Sequence, residues 1–331
     1  MQDLALAKVL DIQYPIIVAP MFLVSNEAML IAACEFGATA AVPSLNYRTP
    51  EELRKALRRV RSATNKAFGV NLIVNKSNIH MQEHLKICLE EGVDYFITSL
   101  GNPKQVIEES HKQGVKVFCD VVDEKYAKKV VDLGCDGLVA VNSGAGGHAG
   151  SIPVTVLVPM LKEKFPGVPV ISAGGIANGK ALLAVEVLGA DGFQIGTPFI
   201  ATKEAPVSEE YKKAIIDYHA EDVVMTSKLS GTPCTVIATD YVKKIGTEQN
   251  PIEKFLNENR QLKKYAKMLT HYKGMKLLEN AAFQASYKSV WCAGPSLEFS
   301  KEISSVKDIL QSLVHSYEEE KNSRFSRPAK L

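Results

Sequence analysis

Short apolar runs recur through the first two-thirds of the chain, at 16–19, 38–42, 68–73, 95–98, 115–119, 137–141, 168–172 and 192–195. They are continuous rather than alternating, which predicts strands buried on both faces, the habit of a parallel sheet. Between them lie stretches whose apolar positions return every three or four residues, near 26–36, 50–63, 78–91, 103–113, 123–133, 153–164 and 178–188. These predict helices, and 206–219 reads as an eighth.

Eight strands with helical, right-handed crossovers are the number that closes a (β/α)8 TIM barrel, an α/β fold. The rival is an open doubly wound sheet, which carries a glycine-rich turn after its first strand. Here that position reads Ala19-Pro20-Met21, and paired or single glycines follow the seventh and eighth strands instead. This order favours the barrel. From about Glu221 the β/α rhythm stops, and residues 251–286 are rich in Lys, Leu, Glu and Ala. Farther on, 304–321 sets Val306, Ile309, Leu310, Leu313, Val314 and Tyr317 at helical spacing. The expected organisation is a barrel of residues 1–221 plus 302–331, with 222–301 as a small helical insertion covering its mouth. A chain of 331 residues suits one barrel with an insertion.

Composition narrows the function. Hydrophobic residues at 46% and charged residues at 23% allow a sizeable core. A net charge of +2 gives no reason to expect a nucleic-acid or membrane partner. The cluster Arg54, Lys55, Arg58, Arg59 and Arg61, beside Glu51 and Glu52, reads as a solvated helix face. Cys34, Cys88, Cys119, Cys135, Cys234 and Cys292 lack Cys-x-x-Cys or Cys/His ligand spacing, so they read as reduced thiols and no metal site is expected. The first residues show no leader pattern, and no stretch nears the roughly 18 apolar residues of a membrane span. A cytoplasmic protein is the expectation.

Chemistry in such a barrel sits at the C-terminal strand ends. The sixth end is the richest: Asn142-Ser143-Gly144-Ala145-Gly146-Gly147-His148-Ala149-Gly150. Its glycines let backbone approach a flat ligand. Its histidine stands off any apolar helical face, and imidazole can take a proton from a weakly acidic carbon near neutral pH. His80, His84, His111, His219, His271 and His315 read as structural or solvated. The seventh and eighth ends, Ser172-Ala173-Gly174-Gly175 and Gly196-Thr197, offer backbone N–H groups to a phosphate. Asn71, at the mouth of the third strand, offers a donor and an acceptor to a ring edge, or is satisfied by a neighbouring loop. Asp120 faces the pocket or, the better reading, caps the next helix. Tyr241 and Trp291 line a substrate cleft or, the better reading, pack in the core.

These motifs resemble those of the nitronate monooxygenases. The matching pieces are 15–21, Gly69-Val70-Asn71-Leu72, the 144–150 loop, 172–176, 189–197, and Ala293-Gly294 before a terminal helix. The resemblance implies FMN without a metal, and a small-molecule substrate with O2 as its partner. It implies His148 as catalytic base, Pro20, Met21 and Asn71 as neighbours of the flavin ring, and Gly174, Gly175, Gly196 and Thr197 as phosphate contacts. Ala19, Ala145, Gly146, Gly147 and Ser172 join the expected FMN-binding set. The implied reaction turns an alkyl nitronate and O2 into a carbonyl compound and nitrite. His148 would be needed for a neutral nitroalkane and dispensable for a preformed nitronate. Many relatives carry Glu where this chain has Gly144, which bears on the substrate more than on the flavin. Two alternatives stay open: an FMN-dependent NAD(P)H enoyl-acyl-carrier-protein reductase, and a flavin-binding barrel without turnover. A homodimer is compatible with either.

Overall fold

The computed structural model describes residues 1–75, 78–228, 233–248, 279 and 290–325. Strands β1 (Ile16–Val18), β2 (Thr39–Pro43), β3 (Gly69–Ile73), β4 (Tyr95–Ser99), β5 (Lys116–Val121) and β6 (Gly137–Val141) pair in chain order. A short β7 (Gly147–His148) leaves the barrel, and β8 (Val170–Ala173) and β9 (Gly192–Ile195) complete it. All barrel pairings are parallel, and β9 closes on β1 with Ile16 opposite Phe193. The closed eight-stranded parallel barrel expected from the apolar runs is therefore what forms, with strand ends within a residue or two of expectation.

The helices are α1 (Ala5–Leu10), α2 (Glu27–Phe36), α3 (Pro50–Ala63), α4 (Met81–Glu90), α5 (Lys104–His111), α6 (Glu124–Asp132), α7 (Val154–Lys164), α8 (Gly179–Val187), α9 (Glu209–Asp217), α10 (Asp240–Ile245) and α11 (Val306–Phe325). Several starts are written in the sequence. Asn26, Asp123, Asn178 and Ser208 each accept a backbone N–H of the first turn, and Thr49 forms a capping box with Glu52. The basic face of α3 meets carboxylates: Arg54 bonds Glu90 at 2.6 Å and Arg61 bonds Asp94 at 2.6 Å. Helix α11 returns to pack on α8 and α2.

Strand alternation divides the core in two. Val18, Val42, Phe96, Cys119, Ala140, Phe193 and Ile195 face the helices, whereas Ile17, Ala41, Tyr95, Ile97, Phe118, Val139, Ile171 and Ala173 fill the barrel. Tyr95 and Phe118 meet edge to face, with ring centroids 5.7 Å apart. Glycines make room for them: a Cβ on Gly69 would lie 2.2 Å from the Tyr95 ring. Helix α1, absent from the sequence expectation, stops the N-terminal opening by adding Leu6 and Leu10 to the interior cluster. The lower barrel is thus solid, and a ligand is confined to the opposite rim.

One expectation is corrected. Residues 222–301 were expected to be helical, yet β10 (Val223–Thr226) and β11 (Cys234–Ile237) pair antiparallel, and β11 pairs with β7. Their β-branched residues favour a strand, and the expectation leaned on the Lys- and Leu-rich stretch downstream. That stretch, 251–286, lies outside the described residues except for Glu279.

Gly179 fixes the docking of the last helix: a Cβ there would lie 2.1 Å from the backbone nitrogen of Tyr317. Gly179→Ala is expected to cost at least about 1–3 kcal/mol of stability through overpacking. A thermal melt followed by circular dichroism checks it.

Candidate active site

Continuing the alternation by two residues, one inward position farther along each strand line, brings eight side chains to the C-terminal rim. These are Ala19, Pro43, Asn71, Ser99, Asp120, Val141, Ala173 and Gln194, and all eight line one cavity of about 750 Å³. They form its floor. The walls come from the strand-end loops, from β11 and from residues 290–296.

The polar half of the floor is a hydrogen-bonded row. Asn71 donates through Nδ2 to the Ile97 carbonyl at 3.0 Å and to Ser99 Oγ at 2.8 Å. Ser99 in turn donates to Asp120 Oδ2 at 2.5 Å. Both amide hydrogens of Asn71 are thereby used, so its carbonyl oxygen alone remains for a ligand. Asp120 Oδ1 and Gln194 Oε1 are shielded from solvent and have no hydrogen-bond partner among the described residues. Unpaired polar atoms in a buried floor are costly unless a ligand or water satisfies them. Burial pushes the Asp120 carboxyl up to about 6, against the opposing pull of the Ser99 hydrogen bond.

The glycine loops interlock. Asn142 accepts from Gly144 N–H at 2.7 Å and donates to the Gly174 carbonyl at 3.0 Å, while Gly175 N–H donates to the Gly144 carbonyl. Gly174 has φ +112° and Gly175 φ +77°, and a Cβ on Gly174 would strike Ala145 N at 2.5 Å. Gly146 and Gly294 cross backbone to backbone, with a Cβ on Gly146 only 2.6 Å from Gly294 N. Gly294 N–H donates to Thr197 Oγ1 at 2.9 Å, which leaves the Thr197 hydroxyl hydrogen for another acceptor. At Gly144 a Cβ would stand 3.1 Å from Asn142 Oδ1 and from Gly175. The Asn142 carboxamide thus crowds the space that a side chain at position 144 would enter.

Of the residues expected at the site, His148, Ala19, Pro20, Met21, Asn71, Ala145, Gly146, Gly147, Gly174, Gly175, Gly196 and Thr197 all line this cavity. Ser172 does not. It lies between the inward Ile171 and Ala173, so the strand pleat turns it to the helical layer, where it is fully buried. Asp120 is also corrected: it is the last inward residue of β5 and belongs to the floor, while Asp123 caps α6. The apolar run ended too early to show that the strand continues to Val121. Ser99 and Gln194 were missed outright, although counting two residues on from Ile97 finds the first. Tyr241 packs beside Cys234 and Val236, and Trp291 stacks on Tyr211, as packing residues do. Among the described residues, His148 is the one histidine of the cavity lining. It is exposed and held on β7, opposite Cys234 of β11. Among the described residues no group of three metal-ligating side chains occurs, and no helix is long and apolar enough to cross a membrane.

The family profile described as nitronate monooxygenase matches residues 4–316. The chain belongs to the nitronate monooxygenase family. It is therefore an enzyme of an oxidoreductase family, and the cavity is its candidate active site. A Staphylococcus haemolyticus protein named as a probable nitronate monooxygenase is 28% identical over 301 residues, covering 77% of this chain and 84% of the relative. A Mycobacterium tuberculosis protein named (3aS,4S,5R,7aS)-5-hydroxy-7a-methyl-1-oxo-octahydro-1H-indene-4-carboxyl-CoA dehydrogenase is 28% identical over 242 residues, covering 72% of this chain and 67% of the relative. Among solved structures, FabK from Thermotoga maritima superposes with a TM-score of 0.84 at 28% identity, covering 97% of both chains.

A carboxyl raised by folding stabilises the fold only while protonated. Stability from Asp120 is full below its unfolded value of about 4 and is lost as pH rises through about 6. Asp120→Asn keeps an acceptor for Ser99 and carries no charge. It is expected to be more stable than the parent at pH 8, by at most about 3 kcal/mol, and to lose that margin at pH 4. Urea unfolding at the two pH values measures it.

Proposed function

We propose that the protein is an FMN-dependent oxidoreductase that converts alkyl nitronates and O2 to carbonyl compounds and nitrite, with neutral nitroalkanes also accepted. The observation that carries this reading is the shared cavity: His148 and the glycine turns at 174–175 and 196–197 line the same space. Its residues fit the cofactor. The positive φ of Gly174 and Gly175, with the free hydroxyl hydrogen of Thr197, makes a cradle for a phosphate. Gln194 Oε1 and the Asn71 carbonyl are acceptors in want of a ring N–H. Met21 and Pro20 supply an apolar edge. A volume of about 750 Å³ is in the range that holds a cofactor-sized ligand. Bound FMN supplies the two-electron redox chemistry.

The chain's own part is acid–base and positional. His148 Nδ1 or Nε2 takes the proton from the carbon next to the nitro group of a neutral nitroalkane. The solid barrel below forces the substrate to lie between the floor and the loop of His148. The predominantly apolar cavity walls, with Val122, Met225 and Val290 among them, limit competing water around the carbon acid.

A second reading has one specific support. The mycobacterial relative is named for action on a coenzyme A thioester, and a proton next to a thioester carbonyl is also within the reach of a histidine base. On this reading NAD(P)H reduces an enoyl thioester.

Anaerobic mixing separates the two. The nitronate reading expects the bound flavin to bleach on adding ethyl nitronate and to stay oxidised with NADH or NADPH; the opposite pattern selects the reductase. His148→Ala is expected to retain flavin and nitronate turnover but to lose neutral nitroethane turnover by about 10²-fold or more. Unchanged nitroethane turnover removes His148 from its role.

A further inference from the structure

Two of the six cysteines stand in the cavity wall, Cys234 and Cys292. Their sulfurs are 3.7 Å apart. Cys234 opens β11 and is the cross-strand partner of His148. Residues directly opposite on antiparallel strands share a face of the sheet, and both line the cavity. Cys292 lies on the returning chain, bridged to Val236. Its carbonyl accepts a 2.6 Å hydrogen bond from the Tyr211 hydroxyl on α9, and Trp291 stacks on the same ring. The next residues, Ala293 and Gly294, press on Gly146 of the histidine loop. The two thiols therefore face each other across the junction between the sheet that carries His148 and a segment anchored to the barrel's helical layer.

We propose that Cys234 and Cys292 are an oxidisable dithiol, and that its closure to a disulfide locks the cavity wall beside His148. The oxidant is hydrogen peroxide, and nothing in the step draws on the proposed cofactor. Cys292 is the more exposed thiol and attacks first. Its thiolate attacks one peroxide oxygen, the O–O bond breaks, and a sulfenic acid and one water result. The Cys234 sulfur then attacks the sulfenic sulfur and expels its oxygen as a second water. Two thiols lose two electrons and two protons, and one peroxide becomes two waters. The neighbouring Cys292 sulfur and burial hold the Cys234 thiol well above its ordinary range, which suits it to the second step rather than the first. From 3.7 Å the sulfurs must close by about 1.6 Å to reach disulfide length. Cys34, Cys88 and Cys119 are fully buried, and none of them lines the cavity. They are the internal control.

The test starts from fully reduced protein. It is treated with a small excess of hydrogen peroxide, unfolded in guanidinium chloride so that buried thiols become accessible, alkylated with N-ethylmaleimide and digested for mass spectrometry. The expected product is a peptide pair linked through Cys234 and Cys292, about 2 Da lighter than the reduced sum, as a two-proton oxidation requires. Cys34, Cys88, Cys119 and Cys135 are expected to be alkylated, and dithiothreitol to reverse the link. Access is read separately, by the rate at which diethyl pyrocarbonate modifies His148. That rate is expected to fall several-fold on oxidation in the parent and to stay constant in Cys234→Ser. Three results overturn the proposal: peroxide carries Cys292 to sulfinic acid with no link, the link forms between Cys119 and Cys135 instead, or His148 reacts equally fast in both states.

Discussion

The packing of Tyr95 against Phe118 is the constraint on which the rest of the site depends. Two large rings fill the lower barrel, helped by the missing side chains of Gly69 and Gly137 and by the plug of Leu6 and Leu10. With that layer solid, a ligand is confined to the C-terminal rim. One residue per strand is left to make the floor, and the pleat decides which. The floor is therefore set by eight positions on a geometric ring, and the strand-end loops and β7 supply the walls, the glycine cradle and His148.

The walls depend on close backbone approach. Gly146 and Gly294 touch where neither tolerates a Cβ, and Gly174 sits against Ala145 in a conformation that favours glycine. These contacts draw the sixth, seventh and eighth strand ends and the returning chain into one rim. The antiparallel pairing of Gly147–His148 with β11 then holds the histidine over the floor. A hydrogen-bonded polar row of Asn71, Ser99 and Asp120 lies on the floor's far side from the glycine cradle, three strands in succession. Asn142 occupies the space beside Gly144, and the acid of this cavity, Asp120, stands on the floor.

Much of this was legible in the sequence, and the reasons for the gaps are physical. The continuous apolar runs revealed the eight strands because a closed parallel sheet is buried on both faces. The glycine-rich loops were legible because close backbone approach leaves few alternatives to glycine. Ser172 was misplaced because its neighbours marked it as a strand end, while the pleat turned it outward between Ile171 and Ala173. Asp120 was misread, and Ser99 and Gln194 were missed, because floor residues are polar positions embedded in apolar strands and need the register to reveal them. Helix α1 escaped because it holds only six residues and its partners lie far away in sequence. The β10–β11 hairpin escaped because its strands are short and bordered by a stretch of helical composition.

The central claim is that the turns at Gly174–Gly175 and Gly196–Thr197 grip the phosphate of a mononucleotide over this floor. Fluorescence titration of the apoprotein with FMN and with riboflavin tests it most directly, since the two differ by the phosphate alone. The account predicts one FMN per chain, bound on the order of 100-fold more tightly than riboflavin, as two or more charge-assisted hydrogen bonds imply. Equal affinity for the two flavins, or no saturable quenching by either, would contradict it.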